Sequence, residues 1–384
     1  MRRTPASLLR RCPRSDHRPV LAAAVSTLVL APACVDTTLP DLSLELGTGR
    51  TDAAFCPVEV VQGFPPEELR IHLIDVGQGD AIWVRTPWFE DRLAESRNIL
   101  LDAGPSGNVP DTSRGGDVVV DHLLSYGLTP GDMLHAMIVT HAHEDHYGGA
   151  QRVASTFEIG AWVDPGFSPD SPGFLNTRSF VENRVNLLGG HIHSPAIPSL
   201  APGPFNPVDI FGPLVQADIL WAAATPPSGN TTNPSGTDVN NTSIAFALRW
   251  GFKQVLLMAD LEEAVETRLI AAHDAGEIDL GSAVLKVAHH GSSSSTSDAF
   301  LSRVVGPRSS AEQWAVISSG RRSFSGTTLP TEATMARLKA TYLPNHVLST
   351  ENRDELKDSG TEHNDDHIII RVRADGLVEA CYAP

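Results

Sequence analysis

Apolar and polar positions along this chain fall into short blocks that switch period several times. Leu69 to Asp75 (LRIHLID) and Ala81 to Thr86 (AIWVRT) have the character of strands, and Val76 to Asp80 (VGQGD) between them reads as a tight hairpin turn. Asn98 to Asp102 (NILLD), Ala136 to Val139 (AMIV), Gln254 to Ala259 (QVLLMA) and Ala283 to Val287 (AVLKV) are further strands. Several of them run straight into acids or histidines at their ends. Helical segments alternate with them: Gly116 to Tyr126, the stretch after Gly149, Leu261 to His273, Ser297 to Val304 and Thr331 to Ala340. Such alternation predicts an α/β fold of packed layers. Asp164 to Pro172, Ser194 to Pro207 and Ser228 to Asp238 read as long surface loops of the kind that frame a substrate entrance. No internal sequence repeat is visible.

The chemistry concentrates where one strand ends. Thr140 to Gly149 reads THAHEDHYGG, so His141, His143, Glu144, Asp145 and His146 fall within six positions after the Ala136 to Val139 strand. Imidazole nitrogens and carboxylate oxygens are the ligands a borderline cation such as zinc takes. Alternate residues of a short extended loop, His141 and His143, can point one way while Asp145 and His146 swing to a neighbouring position, so one loop can serve two cations. A second acid able to bridge them is Asp260, which terminates Gln254 to Ala259. The competing reading makes Asp260 the N-cap of the next helix. Another strand runs into His289 and His290.

HxHxDH at a strand end resembles the metallo-β-lactamase superfamily of metallohydrolases. DVGQGD, then ILLDAG, the Asn240-Asn241-Thr242-Ser243 segment and LKVAHHGSSSSTSDAFL resemble, in order, the hydrolase domain of the ComEC-type competence protein, from about Arg70 to the C-terminus. The resemblance implies a four-layer αβ/βα sandwich with a dinuclear centre held by His141, His143, Asp145, His146, Asp260 and His290. It implies an acid–base or outer role for His289, a bracing role for Asp102 beneath the metal loop, and a supporting contact from Asn241 to substrate. Which of His289 and His290 binds metal stays open at this level. His191 and His193 (GGHIHSP) lie where many superfamily members carry a further ligand, but the stretch reads as an ordinary exposed strand. Ser323 to Pro330 lacks the Gly-His-Pro usual in the ComEC-like group, a departure that weighs against a shared substrate and against nuclease activity in particular. Ser292 to Ser295 reads as a polar helix start, not as a catalytic serine.

The function these features imply is hydrolysis by water activated between two divalent cations, zinc first and manganese or iron on the same ligands. A phosphoester or phosphodiester substrate is the leading expectation, nuclease-like by resemblance. A carbonyl substrate (lactam, lactone or thioester) and a non-catalytic binding protein of the same fold are the alternatives.

Composition then narrows the partners. Hydrophobic content of 41% and charged content of 20% place the chain among globular proteins, and 28 prolines and 31 glycines call for many turns. The formal charge is −17, and the first eighteen residues carry six arginines against Asp16, so the remainder of the chain stands at −22. An acid-rich surface gains nothing from counterion release, which disfavours nucleic acid. Residues 1–33 read as a signal peptide with an apolar core from Pro19 to Leu30, too short for a span of about twenty residues. Ala31-Pro32-Ala33-Cys34 is similar to a bacterial lipoprotein cleavage site, with Cys34 lipidated as the first mature residue, although Ala31 stands where leucine is expected. Residues 34–54 would then be a tether and 55–384 the hydrolase domain, on a membrane through its lipid or secreted. An exported chain meets an oxidising compartment, so Cys56 and Cys381 are expected to pair.

Overall fold

The computed structural model describes residues 55–57, 67–89, 96–107, 114–194, 210–306, 313–320, 323–324, 326–351 and 366–383. The chain divides into two units, Met1–Gly47 and Thr48–Pro384, and every described residue belongs to the second. The expected leader, Cys34 and the tether lie outside the described residues. So does most of Ser194 to Pro207.

Two sheets form the centre. The eight-stranded sheet runs Val378–Tyr382, Ile368–Arg373, Glu68–Leu73, Ile82–Arg85, Asn98–Leu101, Ala136–Ile138, Ala161–Val163 and His191–His193. The six-stranded sheet runs Val347–Ser349, Trp314–Ile317, Val284–Lys286, Lys253–Leu257, Ala245–Trp250 and Gln216–Trp221. Each sheet has an antiparallel part and a parallel part: Asn98–Leu101 onward in the first, and Lys253–Leu257 through Val347–Ser349 in the second.

Side-chain alternation builds three apolar layers from these two sheets. Ile71, Leu73, Val84, Ile99, Leu101 and Ile138 of the first sheet face Phe246, Leu248, Val255, Leu257, Val284 and Val316 of the second. On the far side of the first sheet, Trp83, Leu100, Met137 and Trp162 pack with Val119, Leu123, Val153, Phe174 and Val181 of its helices. On the far side of the second, Ala247, Leu256, Leu285 and Ala315 meet Val265, Leu269, Phe300, Leu301 and Leu338. Helix, sheet, sheet and helix are therefore stacked in that order, the αβ/βα sandwich expected. The central strands read as near-continuous apolar runs because both of their faces are covered.

All five expected helices are present, as Gly115–Ser125, Ala150–Thr156, Glu263–Asp274, Asp298–Val305 and Glu332–Thr341. Ser297 and Thr331 cap the last two by accepting from Phe300 N–H and Thr334 N–H. A sixteen-residue helix, Pro172–Leu187, was not expected. It buries only Phe174, Thr177, Val181 and Val185, a stripe too thin to stand out beside the Pro- and Ser-rich residues before it. The hairpin between Glu68–Leu73 and Ile82–Arg85 also differs. Its connection runs from residue 74 to 81, closed by Ile74 N–H to the Ala81 carbonyl at 2.9 Å. It is no tight turn, because its tip is spent on contacts beneath the strand ends. Cys56 and Cys381 form a disulfide that ties the start of the domain to the last strand.

Candidate metal centre

Parallel strands deliver their loops to one edge, and the histidines and acids of this chain collect there. Asp102 follows Asn98–Leu101, the His141 to His146 loop follows Ala136–Ile138, Asp260 follows Lys253–Leu257, and His289 and His290 follow Val284–Lys286. The backbone is strained at these tips: Asp102, Ala259, His289 and His290 have φ of 57°, 48°, 48° and 50°. Four non-glycine residues in the left-handed region around one edge mark a constellation that its surroundings over-determine.

Asp102 ties down the His141 to His146 loop. It is buried, and accepts hydrogen bonds from Thr140 N–H (2.8 Å), the Thr140 hydroxyl (2.7 Å) and His146 Nδ1 (2.8 Å). With Nδ1 engaged by Asp102, Nε2 is the His146 nitrogen left for a cation, and it lies 3.3 Å from Asp260 Oδ2. His290 repeats the arrangement from the other sheet. Its Nδ1 donates to the Ser318 carbonyl at 2.9 Å, and its Nε2 lies 3.2 Å from Asp260 Oδ2 and 3.5 Å from Asp145 Oδ2. His141 Nε2 stands 3.9 Å from the same Asp260 oxygen and 3.0 Å from His143 Nδ1. Asp260 thus faces the histidines. It does not cap the helix behind it, whose N-cap is Glu262.

Three buried atoms that face one another here have no hydrogen-bond partner: His146 Nε2, His290 Nε2 and Asp260 Oδ1. Unpaired buried polar atoms are costly, and a cation seated among these would satisfy them together. Within His141–His146–Asp260, Asp145–His146–His290 and Asp80–Asp260–His290, the candidate ligand atoms all lie within 4.8 Å of one another. The residues therefore fit divalent metal ions.

Electrostatics point the same way. Burial acts to raise the Asp260 carboxyl, but His290 and His146 outweigh it and hold it well below the usual carboxylate range. Burial likewise acts to lower His146 and His290, yet Asp260, with Asp102 and Asp145 beside one and Asp145 and Asp80 beside the other, leaves both well above the usual imidazole range. Asp145 is held low against burial by His146 and His290. His141 and His143 are pushed down by burial and stay neutral, with lone pairs to give. The cluster demands positive charge, which a metal supplies as well as a proton does.

Beside the cluster opens a cleft of about 570 Å³, lined among others by His143, Glu144, Asp145, Asn240, Glu262 and His289. His289 is partly exposed, with Nε2 4.0 Å from Asp260 Oδ2 and Nδ1 3.3 Å from the Ser294 hydroxyl. The structure thus turns His290 into the cluster and His289 toward the cleft. Asn241 does not line the cleft: its Oδ1 accepts from Glu262 N–H at 3.0 Å, and its carbonyl accepts from Trp221 Nε1 at 2.9 Å. Its neighbour Asn240 lines it instead, donating from Nδ2 to Glu262 Oε1 at 2.8 Å. His191 and His193 sit in the edge strand of the first sheet and join none of the clusters among the described residues. Ser292 to Ser295 is a loop before the helix rather than its first turn, and the cap is Ser297. Ser294 instead offers its carbonyl to Glu263 N–H at the start of Glu263–Asp274.

Asp80 and Lys286 belong to the edge although neither carries a ligand motif in the sequence. Both are fully buried and paired with each other. Lys286 is visible in the chain as a lone cation inside the apolar run AVLKV, a position that demands a buried acid. Asp80, at the end of VGQGD, has the look of an ordinary turn residue.

The model of the metallo-beta-lactamase superfamily matches residues 74–308. ComE operon protein 3 of Bacillus subtilis (strain 168) is 26% identical over 265 residues, covering 67% of this chain and 29% of that protein. Recombination protein 2 of Haemophilus influenzae is 27% identical over 254 residues, covering 66% of this chain and 24% of that protein. The chain spans less than a third of the length of either relative. Among solved structures, zinc-bound PqqB from Methylobacterium extorquens is 12% identical with a TM-score of 0.36, over 73% of this chain and 97% of that one. CmlA, a diiron beta-hydroxylase from Streptomyces venezuelae, is 14% identical with a TM-score of 0.30, over 59% of this chain and 35% of that one. The family match spans more than half of the chain and includes every residue of the strand-end cluster, so this protein belongs to the metallo-beta-lactamase superfamily.

Proposed function

We propose that the protein is an exported metal-dependent hydrolase acting on phosphoester or phosphodiester bonds. The observation that carries this is the convergence of His146 and His290, one from each sheet, on a single oxygen of Asp260. His141, His143 and Asp260 would hold one cation, and Asp145, His146, His290 and Asp260 the other. Two divalent cations there would lower the pKa of a shared water and clamp the oxygens of the scissile group. Zinc suits the donor set first, with manganese or iron on the same ligands. Asp145, half-buried at the cleft, orients the attacking water. His289, facing the cleft with Ser294 behind it, handles the proton on the leaving group.

The ComEC-like motifs of the sequence support a phosphodiester. One observation favours a carbonyl substrate instead. Glu144, Asp145, Asp260 and Glu262 line the cleft, and no lysine or arginine does among the described residues. Such walls suit a neutral substrate better than a polyanion. Export rests on the arginine-rich leader of residues 1–33 and on the Cys56–Cys381 disulfide, a bond of oxidising compartments. Lipid on Cys34 with a tether over 34–54 would put the 55–384 domain at a membrane surface without a span, and no helix among the described residues is long and apolar enough to cross one.

Metal analysis of the purified protein, together with assays of the zinc- and manganese-loaded forms on bis-p-nitrophenyl phosphate, single-stranded DNA and nitrocefin, tests the reading. Close to two metal ions per chain and chelator-sensitive turnover of the phosphodiester are expected. A metal-free protein indifferent to chelators would leave a binding module, and turnover of nitrocefin alone would select the carbonyl reading.

A further inference from the structure

We propose that the buried Asp80–Lys286 pair is part of the metal centre, with Asp80 the positioning carboxylate of His290 and Lys286 the cation that holds it there. This rests on the proposed role of His290 as a metal ligand. Asp80 comes from the hairpin of the first sheet, whereas Lys286 and His290 come from a strand of the second and its tip. Asp80 is 1% exposed and Lys286 0%, and Lys286 Nζ donates to Asp80 Oδ2. A buried ion pair contributes little net stability over well-packed apolar side chains of the same volume, so its presence calls for another reason.

Geometry supplies that reason. The other Asp80 oxygen, Oδ1, has no hydrogen-bond partner and lies 3.4 Å from His290 Nδ1, which already donates to the Ser318 carbonyl. Both acceptors stand on the Nδ1 side of the ring, so Nδ1 is held as a donor and Nε2 is the nitrogen turned to Asp260 and Asp145. Asp102 does the same for His146. Each histidine of the second cation position is thus backed by a buried carboxylate, the arrangement that orients an imidazole and raises its basicity toward a metal.

The backbone of Asp80 adds a second tie. Its N–H donates to the Asp145 carbonyl at 3.2 Å, and its carbonyl accepts from Gly104 N–H at 2.9 Å. One residue therefore touches the metal loop, the Asp102 loop and the His290 tip. The two sheets can present their ligands to a shared cation only if their strand ends keep register. A charge pair across the seam fixes that register in a direction-specific way that apolar packing does not.

Zinc affinity, measured by competition with a chromophoric chelator, and urea unfolding of the metal-free protein separate this role from a structural one. Lys286→Met alone leaves Asp80 buried and unpaired and is expected to lower stability. Asp80→Asn with Lys286→Met removes both charges at nearly constant volume and is expected to restore stability. Its zinc affinity should nevertheless stay about 10- to 100-fold below that of the unaltered protein. Full recovery of affinity in the double variant overturns the inference while leaving the hydrolase reading intact. Absence of zinc binding in the unaltered protein overturns both.

Discussion

At the scale of single residues, the glycines of the metal loop act by absence of volume more than by flexibility. The Gly148-Gly149 pair reads in sequence as a release into a helix. In the fold, a Cβ on Gly149 would stand 2.1 Å from the Ala103 carbonyl oxygen, which accepts no such approach. Gly149→Ala is therefore expected to destabilise the protein by about 3 kcal/mol, read by urea unfolding. A loss below about 0.5 kcal/mol would mean that the metal loop and the Asp102 loop are not locked together. Asp102 makes the complementary case. It accepts from Thr140 twice and from His146 once, so an amide at this position would turn a donor toward a donor. Asp102→Asn should lower zinc affinity about 10- to 100-fold without removing a ligand. Unchanged affinity would show that His146 is oriented by something else.

At the scale of elements, the strands mattered more than the helices for reaching the site. Each candidate ligand sits just past the C-terminal end of a parallel strand, and the short runs NILL, AMI, KQVLL and VLK were legible because they are buried on both faces. Pro172–Leu187 was hidden because four buried positions in sixteen residues leave little period to read. The hairpin tip escapes a sequence reading for a different reason. VGQGD has the composition of a tight turn, but Gly79 lies so close to the metal loop that a Cβ there would stand 2.3 Å from the Asp145 carbonyl oxygen. Composition reports which residues a turn tolerates, not what presses against it. The first sheet is also stapled at its edge: Cys56 N–H donates to the Tyr382 carbonyl at 2.7 Å beside the Cys56–Cys381 disulfide. Replacing both cysteines by serine should cost roughly 2–4 kcal/mol, because the bond closes most of the chain into one loop of the unfolded state. Thermal unfolding with and without reductant checks this, and coincident curves would mean that the thiols are free in the purified protein.

At the scale of the whole molecule, stability should fall on the acid side through buried histidines outside the strand-end cluster. His72 and His122 are buried under Trp83 and Tyr126, 2.9 Å apart from Nδ1 to Nε2, with the His367 ring 4.4 Å from that of His122. Burial, then the charges of Arg70 and His367 on His72 and of His367 on His122, push both well below 6.5. A histidine kept neutral in the fold contributes stability that is complete above its unfolded pKa and is lost as pH falls below it. Each should cost about 1.4 kcal/mol per pH unit below 6.5 until its folded pKa is reached. Urea unfolding between pH 7.5 and 5 is expected to show this decline, and His122→Gln to flatten it; parallel profiles would assign the decline to other groups. The sequence by itself determined the family, the layered fold and the histidine- and acid-rich loop at a strand end, because HAHEDH is local and because strands covered on both faces betray themselves as apolar runs. Tertiary structure alone decided that Asp260 faces His146 and His290, that His290 and not its neighbour turns inward, and that Asp80 meets Lys286. Those relations join residues up to 206 positions apart across the seam of two sheets, where orientation is fixed by packing and left-handed backbone at strand tips, neither of which leaves a local mark in the chain.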